Sequence, residues 1–505
     1  MLMAGGTRVT IIGAGVIGAS IARVLSRFEN LQVCVLEENY DVGGSVSRAN
    51  SSVIHPGHEE DPEKQPLRAR LCVEGNALWR RWCGELEIPA KWVGELMLFE
   101  RSEEEKEAEK YVKWARRNNL AGVRMVSREE LFEMESSVSR SVEGGVYAPT
   151  AGLISPFEAV LALIENAVDN GVKLLTETRV KSIVTRNNNV AGVDTNRGFI
   201  ETDIVVNAAG LNADEVSHSA GVEPWFRIRP RKGEYIVFDR DAEPKPSLIL
   251  HTMPTLVTKG VYALTTVHGN LMIGPTAEDL PYESKGDTST SMKGLDHLVK
   301  EAGRMLCRTP PRSKIIKFFA GLRPEPPEGE WLIKAYSQPY GFINVAGIRS
   351  PGLTAAPAIA NYVSSLLAET YGFRLVEKLG WKPLRRRITP VDEMDYNTLD
   401  KHIVENPDYG EIVCFCNNVS KAEVLEAIER MRATGVKTIT FDGVKLRTTA
   451  GFGKCQASRC RTRIALLISE ATGTPLHSVI MRKASIGVGG VKTLWTGDGE
   501  GAEND

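Results

Sequence analysis

The sequence predicts an α/β chain, with a mainly parallel sheet flanked by helices and a small cysteine-bearing module near the C-terminal end. Three observations carry this expectation. A β-branched run, RVTII at residues 8–12, passes directly into a glycine-rich turn and then a helical pattern. A second apolar run at residues 32–36 completes a βαβ unit. Four of the eight cysteines fall between residues 414 and 460. At 505 residues the chain exceeds one ordinary core, so about two to four domains are expected.

Composition narrows the function. The 42% apolar and 25% charged fractions are those of a soluble globular chain. Net charge is −2 and the cations are interleaved with acids, which argues against a nucleic-acid surface. Residues 9–16 are apolar, with an amphipathic continuation to Leu25, but they lack a small-residue cleavage site and are too short to span a bilayer. No transmembrane segment and a cytoplasmic location are expected.

The glycine-rich turn is GAGVIG at residues 13–18. Gly13 permits the tight turn, Gly15 lets backbone approach a pyrophosphate, and Gly18 allows helix and strand to pack closely. Val16 and Ile17 open the helix, whose first amides and positive dipole end suit phosphate. Glu37 ends the second strand, where its carboxylate accepts ribose hydroxyls. Together these form a Rossmann-like dinucleotide site. Gly44, Ser45, Ser47, Asn50, Ser51 and Ser52 lie in a polar run just beyond it, which favours the longer cofactor FAD. No second unit of this kind follows. The GVGG run at residues 487–490 is not followed by a helix and reads as a tail turn, so direct use of NAD is not expected.

Cys34, Cys72, Cys83 and Cys307 are scattered and read as small packed hydrophobes. Cys414 and Cys416 form a C-x-C pair, and Cys455 and Cys460 follow after a helical stretch at residues 421–432. Four thiolates in a reducing compartment suit a 2Fe–2S cluster or zinc. C-x-C is unusual in zinc ribbons. Lys454, Arg459, Arg461 and Arg463 could offset a cluster's negative charge or form a solvated basic face.

Several further motifs resemble the D-amino-acid-oxidase-like superfamily of FAD enzymes. More narrowly, the chain resembles the large subunit of anaerobic glycerol-3-phosphate dehydrogenase and the L-2-hydroxyglutarate dehydrogenases. VVNAAGL at residues 205–211 is similar to the second FAD motif, placing Ala208, Ala209 and Gly210 at the cofactor, and Val180 is counted with them. GIRSPGLTAAP at residues 347–357 is similar to the third, which adds Gly347, Arg349, Gly352, Leu353 and Thr354. GLRP at residues 321–324 resembles the substrate-side loop. RKGEY at residues 231–235 and IGPTAED at residues 273–279 fall to the substrate portion. RTTAGFGKCQ at residues 447–456 resembles the bacterioferritin-associated-ferredoxin-like module, which favours 2Fe–2S. Asn417 stands where that family often has glutamate, and four residues separate the last two cysteines where the free-standing module has two.

The resemblance implies a Rossmann-like FAD domain, from residues 1–90, 145–220 and 335–385, interrupted by a mixed-sheet α+β substrate domain. Residues 386–410 read as a linker, 411–482 as the small helical cluster domain and 483–505 as a tail, with 496–505 disordered. The charged stretch at residues 103–118 reads as a solvated helix.

Oxidation of a small anionic substrate needs a cation and a proton acceptor. Arg323 is the first choice for the cation because guanidinium grips carboxylate or phosphate with two parallel bonds, and Arg349 is the second. His55, just beyond the serine run, sits where the resemblance implies a histidine near the flavin, which makes it the acid–base or flavin-contact candidate and, as in some members of the superfamily, a potential covalent attachment point. His58, Lys232 and Tyr235 are held in reserve. Glycerol-3-phosphate enzymes tend to carry a second phosphate-binding arginine after the position of Arg323, whereas this chain reads EPPEGEW at residues 325–331. The substrate therefore stays open between glycerol 3-phosphate, a 2-hydroxy acid and a secondary amino acid. A non-catalytic FAD subunit is the remaining alternative. A partner electron-transfer flavoprotein or a membrane-anchoring subunit is expected, which would hold the protein peripherally on a membrane.

Overall fold

The RVTII run becomes the strand Thr7–Ile12, the middle of a nine-stranded sheet. Its parallel core runs Lys173–Leu175, Leu31–Leu36, Thr7–Ile12, Ile204–Asn207 and Tyr340–Ala346. The inner strands are largely buried on both faces, which is why they read as near-continuous apolar runs. The helix Val16–Leu25 packs against Pro156–Asp169 and Gly352–Tyr371, and Pro66–Glu85 also packs on Gly352–Tyr371. In that last contact a Cβ on Gly75 would lie 2.1 Å from the Thr354 carbonyl oxygen, so only glycine permits it.

A second sheet, mixed in direction, is built from residues 95–148 and 229–325. It is therefore inserted between strands of the first. Its longest pairing joins Arg229–Phe238 to Ile315–Glu325, with Arg231 opposite Arg323. Leu96, Leu98, Ile236, Phe238, Leu250 and Leu298 form its core. The charged stretch folds as the helix Ser102–Arg117. Its acidic and basic side faces water, while Ala108, Tyr111, Val112 and Ala115 are buried.

The described residues are 6–255, 258–483 and 485 of this computed structural model. The chain divides into two units, Met1–Arg387 and Ile388–Asp505. Residues 388–410, expected as linker, instead belong to the second unit and contain the helix Tyr396–Glu405. The local cause is a cap: Asp395 Oδ1 accepts the Thr398 amide at 2.9 Å, starting a helix amid prolines and charges. The second unit packs three further helices, Lys421–Ala433, Phe441–Thr448 and Arg461–Thr472, through Val424, Ile428, Met431, Val444, Ile464 and Ile468. The disordered end expected at 496–505 and the glycine run at 487–490 lie outside the described residues. Among the described residues no helix is long and apolar enough to cross a membrane.

Candidate functional site

Three backbone segments meet at the C-terminal ends of the parallel strands, the usual place for a ligand in such a sheet. Gly13 has φ +97° and its Cβ would lie 2.6 Å from the Ala208 carbonyl, so the first and second glycine motifs touch here. A Cβ on Gly18 would lie 1.9 Å from Gly13 O, which makes glycine the condition for seating the helix on the turn. A Cβ on Gly15 would meet only the Ser47 hydroxyl, at 3.0 Å, and the space before it is otherwise open. The first helical bond is Ala19 N to Gly15 O, so the amides of Ile17 and Gly18 have no partner within the helix. Val16 N donates to Ser47 Oγ at 2.9 Å. This bare turn with outward amides fits a pyrophosphate.

Glu37 is buried at the adjacent strand end, where it accepts the Ala14 amide at 2.9 Å and the Asn39 amide at 2.9 Å. Burial pushes its carboxyl up against those bonds. The chain leading to Val180 runs alongside, with Thr178 N bonded to Glu37 O at 2.8 Å. Asn50 is occupied within its own loop: its Nδ2 donates to Val46 O and Ser47 O, and its Oδ1 accepts from Ser52 N. Gly44 packs beside Asn39, Ser45 is exposed and Ser51 is half-buried. Ala209 and Gly210 begin a short turn with open space before Gly210. Gly347 packs on Pro326, and Gly352 opens its helix without a side-chain cap. The Leu353 and Thr354 amides precede the first bond of that helix, Ala355 N to Pro351 O. His55 N donates to Thr354 Oγ1 at 2.9 Å, and Trp79 Nε1 to Leu353 O at 2.9 Å, tying the His55 turn to the third motif.

On the second sheet Glu325 deals with two guanidiniums. It lies 3.3 Å from Arg231 and 3.0 Å from Arg349 Nε, the latter at an angle that makes it an ion pair and not a hydrogen bond. Lys232 is likewise engaged, 3.4 Å from both Glu278 and Asp287. Arg323 is different. Among the described residues it forms no ion pair; it donates to Thr276 O at 3.2 Å and is hydrogen-bonded to the Tyr235 hydroxyl. Tyr235 is held by stacking on Phe319, with centroids 4.7 Å apart. Two residues before Arg323, a Cβ on Gly321 would lie 1.9 Å from Ala49 O, so this strand presses on the serine loop.

His55 is buried beside carboxylates that sequence reading did not single out. Its Nδ1 lies 3.7 Å from Glu59 Oε2 and has no hydrogen-bond partner among the described residues. Burial, helped by the charge of Lys259, pushes its imidazole down to about 3. Lys259 in turn pairs with Glu59 at 3.1 Å and with Glu60, while Arg68 reaches Glu60 at 2.6 Å. Burial would lower the Lys259 ammonium, but those two carboxylates raise it. Burial alone would raise Glu59, yet the Lys259 ammonium holds it ionised, down at about 2. Lys259 belongs to no motif. The signal available was the density of titratable groups in HPGHEE at residues 55–60 within an apolar stretch.

In the second unit the thiols pair crosswise. Cys414 Sγ is in hydrogen-bonding reach of Cys460, and Cys416 Sγ of Cys455, so each pair takes one cysteine from each motif. Two close pairs are the donor set of two irons with two thiolates each. Backbone amides of Cys416, Asn417 and Gly451 point at Cys414 Sγ, as cluster sulfurs require. A Cβ on Gly453 would lie 2.3 Å from Cys416 Cβ, so the loop closes over the thiols only with glycine there. Asn417 donates to Thr449 O at 2.8 Å and so braces this loop. Arg463 pairs with Glu411 and bonds Ile412 O at 2.9 Å.

Residues 8–366 match the FAD dependent oxidoreductase (DAO) family. The chain belongs to that family. Residues 412–470 match the BFD-like [2Fe-2S] binding domain. FAD is thus the cofactor of this oxidoreductase and a 2Fe–2S cluster that of its second unit. A glycerol 3-phosphate dehydrogenase of Caloramator mitchellensis is 36% identical over 471 residues, covering 93% of this chain and 95% of the relative. A glycerol 3-phosphate oxidase of Mycoplasma pneumoniae is 29% identical over 74% of this chain and 96% of its own length. The reduced, FAD-bound L-alpha-glycerophosphate oxidase of that organism superposes with TM-score 0.69 at 27% identity, over 75% of this chain and 97% of the other.

Proposed function

We propose that this FAD-dependent oxidoreductase dehydrogenates glycerol 3-phosphate at its secondary alcohol and delivers the electrons to a partner subunit or the quinone pool, which would hold it peripherally on a membrane. Bound FAD supplies the hydride acceptor, and the 2Fe–2S cluster supplies an outlet for single electrons. Arg323 holds the substrate's phosphate. Support comes from its lack of a carboxylate partner while Arg231, Lys232 and Arg349 all have one. Tyr235 and the Thr276 carbonyl fix the guanidinium before substrate arrives, which lowers the entropy lost on binding. His55 is the proton acceptor in this reading: burial holds it neutral and lowers its basicity, and Glu59, 3.7 Å from Nδ1, favours the protonated form. The long relative named for this substrate supports the same reading.

The test is dye-linked turnover against glycerol 3-phosphate, L-2-hydroxyglutarate, proline and sarcosine. Glycerol 3-phosphate is expected to give the highest kcat/KM; preference for a hydroxy acid or an amine would replace this reading. Arg323→Ala should lower kcat/KM by about 2–5 kcal/mol, with flavin absorbance unchanged. Unchanged kinetics would move the anion site elsewhere.

A further inference from the structure

Beyond both cofactor sites, three side chains converge in the core of the inserted sheet: His58, Glu95 and His251. They come from separate segments. Glu95 begins the strand Glu95–Phe99, His251 lies in the adjacent parallel strand Ile249–Thr252, and His58 follows the Val53–Ile54 strand. Glu95 is registered with Ile249, and Met97 with His251, so Glu95 and His251 project from the same sheet face. One ligand atom from each of the three lies within 4.8 Å of the other two, and all three residues are 0% exposed.

Their polar atoms are bare. Among the described residues, neither nitrogen of His58, neither carboxylate oxygen of Glu95 nor Nε2 of His251 has a hydrogen-bond partner. Such groups are costly in a low-dielectric interior and call for a ligand. The neighbouring charges do not serve Glu95, since Lys259 and Arg68 are taken by Glu59 and Glu60. His58 Nδ1 lies 3.4 Å from Glu95 Oε1 without forming a hydrogen bond. Two ligands held at about 2.0–2.1 Å from one tetrahedral ion are about 3.4 Å apart. His251 Nδ1 contacts the Thr252 carbonyl at 3.1 Å, the outer bond that fixes a ligating imidazole and turns its other nitrogen to the metal.

We infer that His58, Glu95 and His251 bind a divalent transition-metal ion, with zinc best matched to the two-nitrogen, one-oxygen set. The ion pins the turn carrying His55 onto two strands of the inserted sheet. It neutralises a carboxylate that would otherwise have to be protonated.

Full-length holoprotein, purified without chelator, should contain about one zinc or similar divalent ion per chain beyond the iron matched by acid-labile sulfide. Glu95→Gln and, separately, His251→Gln should each cut that extra metal at least about tenfold while FAD content stays unchanged. X-ray absorption at the metal's edge should show nitrogen and oxygen neighbours and no sulfur. Sulfur neighbours would assign the ion to the cysteines and overturn the proposal. So would wild-type protein without extra metal, or variants that keep it. If both variants lose FAD and misfold, the wild-type absorption spectrum decides alone.

Discussion

His55 shows how much a single residue's role depends on what surrounds it. An exposed histidine titrates near 6.5, but here burial first, and the Lys259 charge second, push the imidazole down to about 3. Between those two values only the unfolded chain binds the proton. Its contribution to stability is therefore complete above 6.5 and declines as pH falls toward 3. The slope is about 1.4 kcal/mol per pH unit. In denaturant melts the wild type should lose about 1.4 kcal/mol more than His55→Asn between about pH 7.5 and about pH 5.5. Equal losses would mean that His55 is not held neutral. The same burial makes the free imidazole a weak base, so proton uptake from a substrate hydroxyl depends on Glu59, 3.7 Å from Nδ1, to favour the imidazolium.

Among the elements, the turn between Thr7–Ile12 and Val16–Leu25 is the one where a single methyl group decides cofactor binding. Gly18→Ala would place a carbon 1.9 Å from the Gly13 carbonyl, and neither partner is a flexible side-chain end. The helix must shift off the strand, and the amides of Ile17 and Gly18 shift with it. Overpacking of this kind costs about 1–3 kcal/mol. Gly18→Ala should therefore purify with reduced FAD, read from the ratio of flavin to protein absorbance, whereas Gly286→Ala, whose Cβ meets nothing within 4 Å, should keep full cofactor. The helix Lys421–Ala433 shows the opposite case, an element announced by its own residues. Ser420 and Glu423 form a reciprocal capping box that starts it, and buried Val424, Ala427, Ile428 and Met431 hold it down.

For the whole molecule, a two-electron oxidation in one unit is joined covalently to a one-electron cluster in the other. If electrons leave by that route, Cys416→Ser should leave anaerobic flavin reduction by glycerol 3-phosphate at the wild-type rate. Transfer to the partner subunit or quinone should slow by at least about tenfold. Stopped-flow absorbance follows the first step and a quinone-linked assay the second. Equal reoxidation rates in wild type and variant would remove the cluster from the path.

Local chemistry made much of this protein legible in its sequence. GAGVIG after a β-branched run, Glu37 at the next strand end and paired cysteines each depend on residues close in the chain. The same holds for Arg323 as a candidate, since GLRP is a contiguous motif. Other features were decided by contacts between distant residues. Arg323 differs from Arg349 because Glu325 folds against Arg349 and Arg231. The thiols pair across motifs about forty residues apart, Cys414 with Cys460 and Cys416 with Cys455. Lys259 reaches Glu59 from 200 residues away, and His58 meets Glu95 and His251 on a sheet that neither local pattern announced. A sequence pattern reports what a residue can do to its near neighbours. Which charges are left unpaired, and which polar atoms are left bare, is settled only when the strands come together and exclude water.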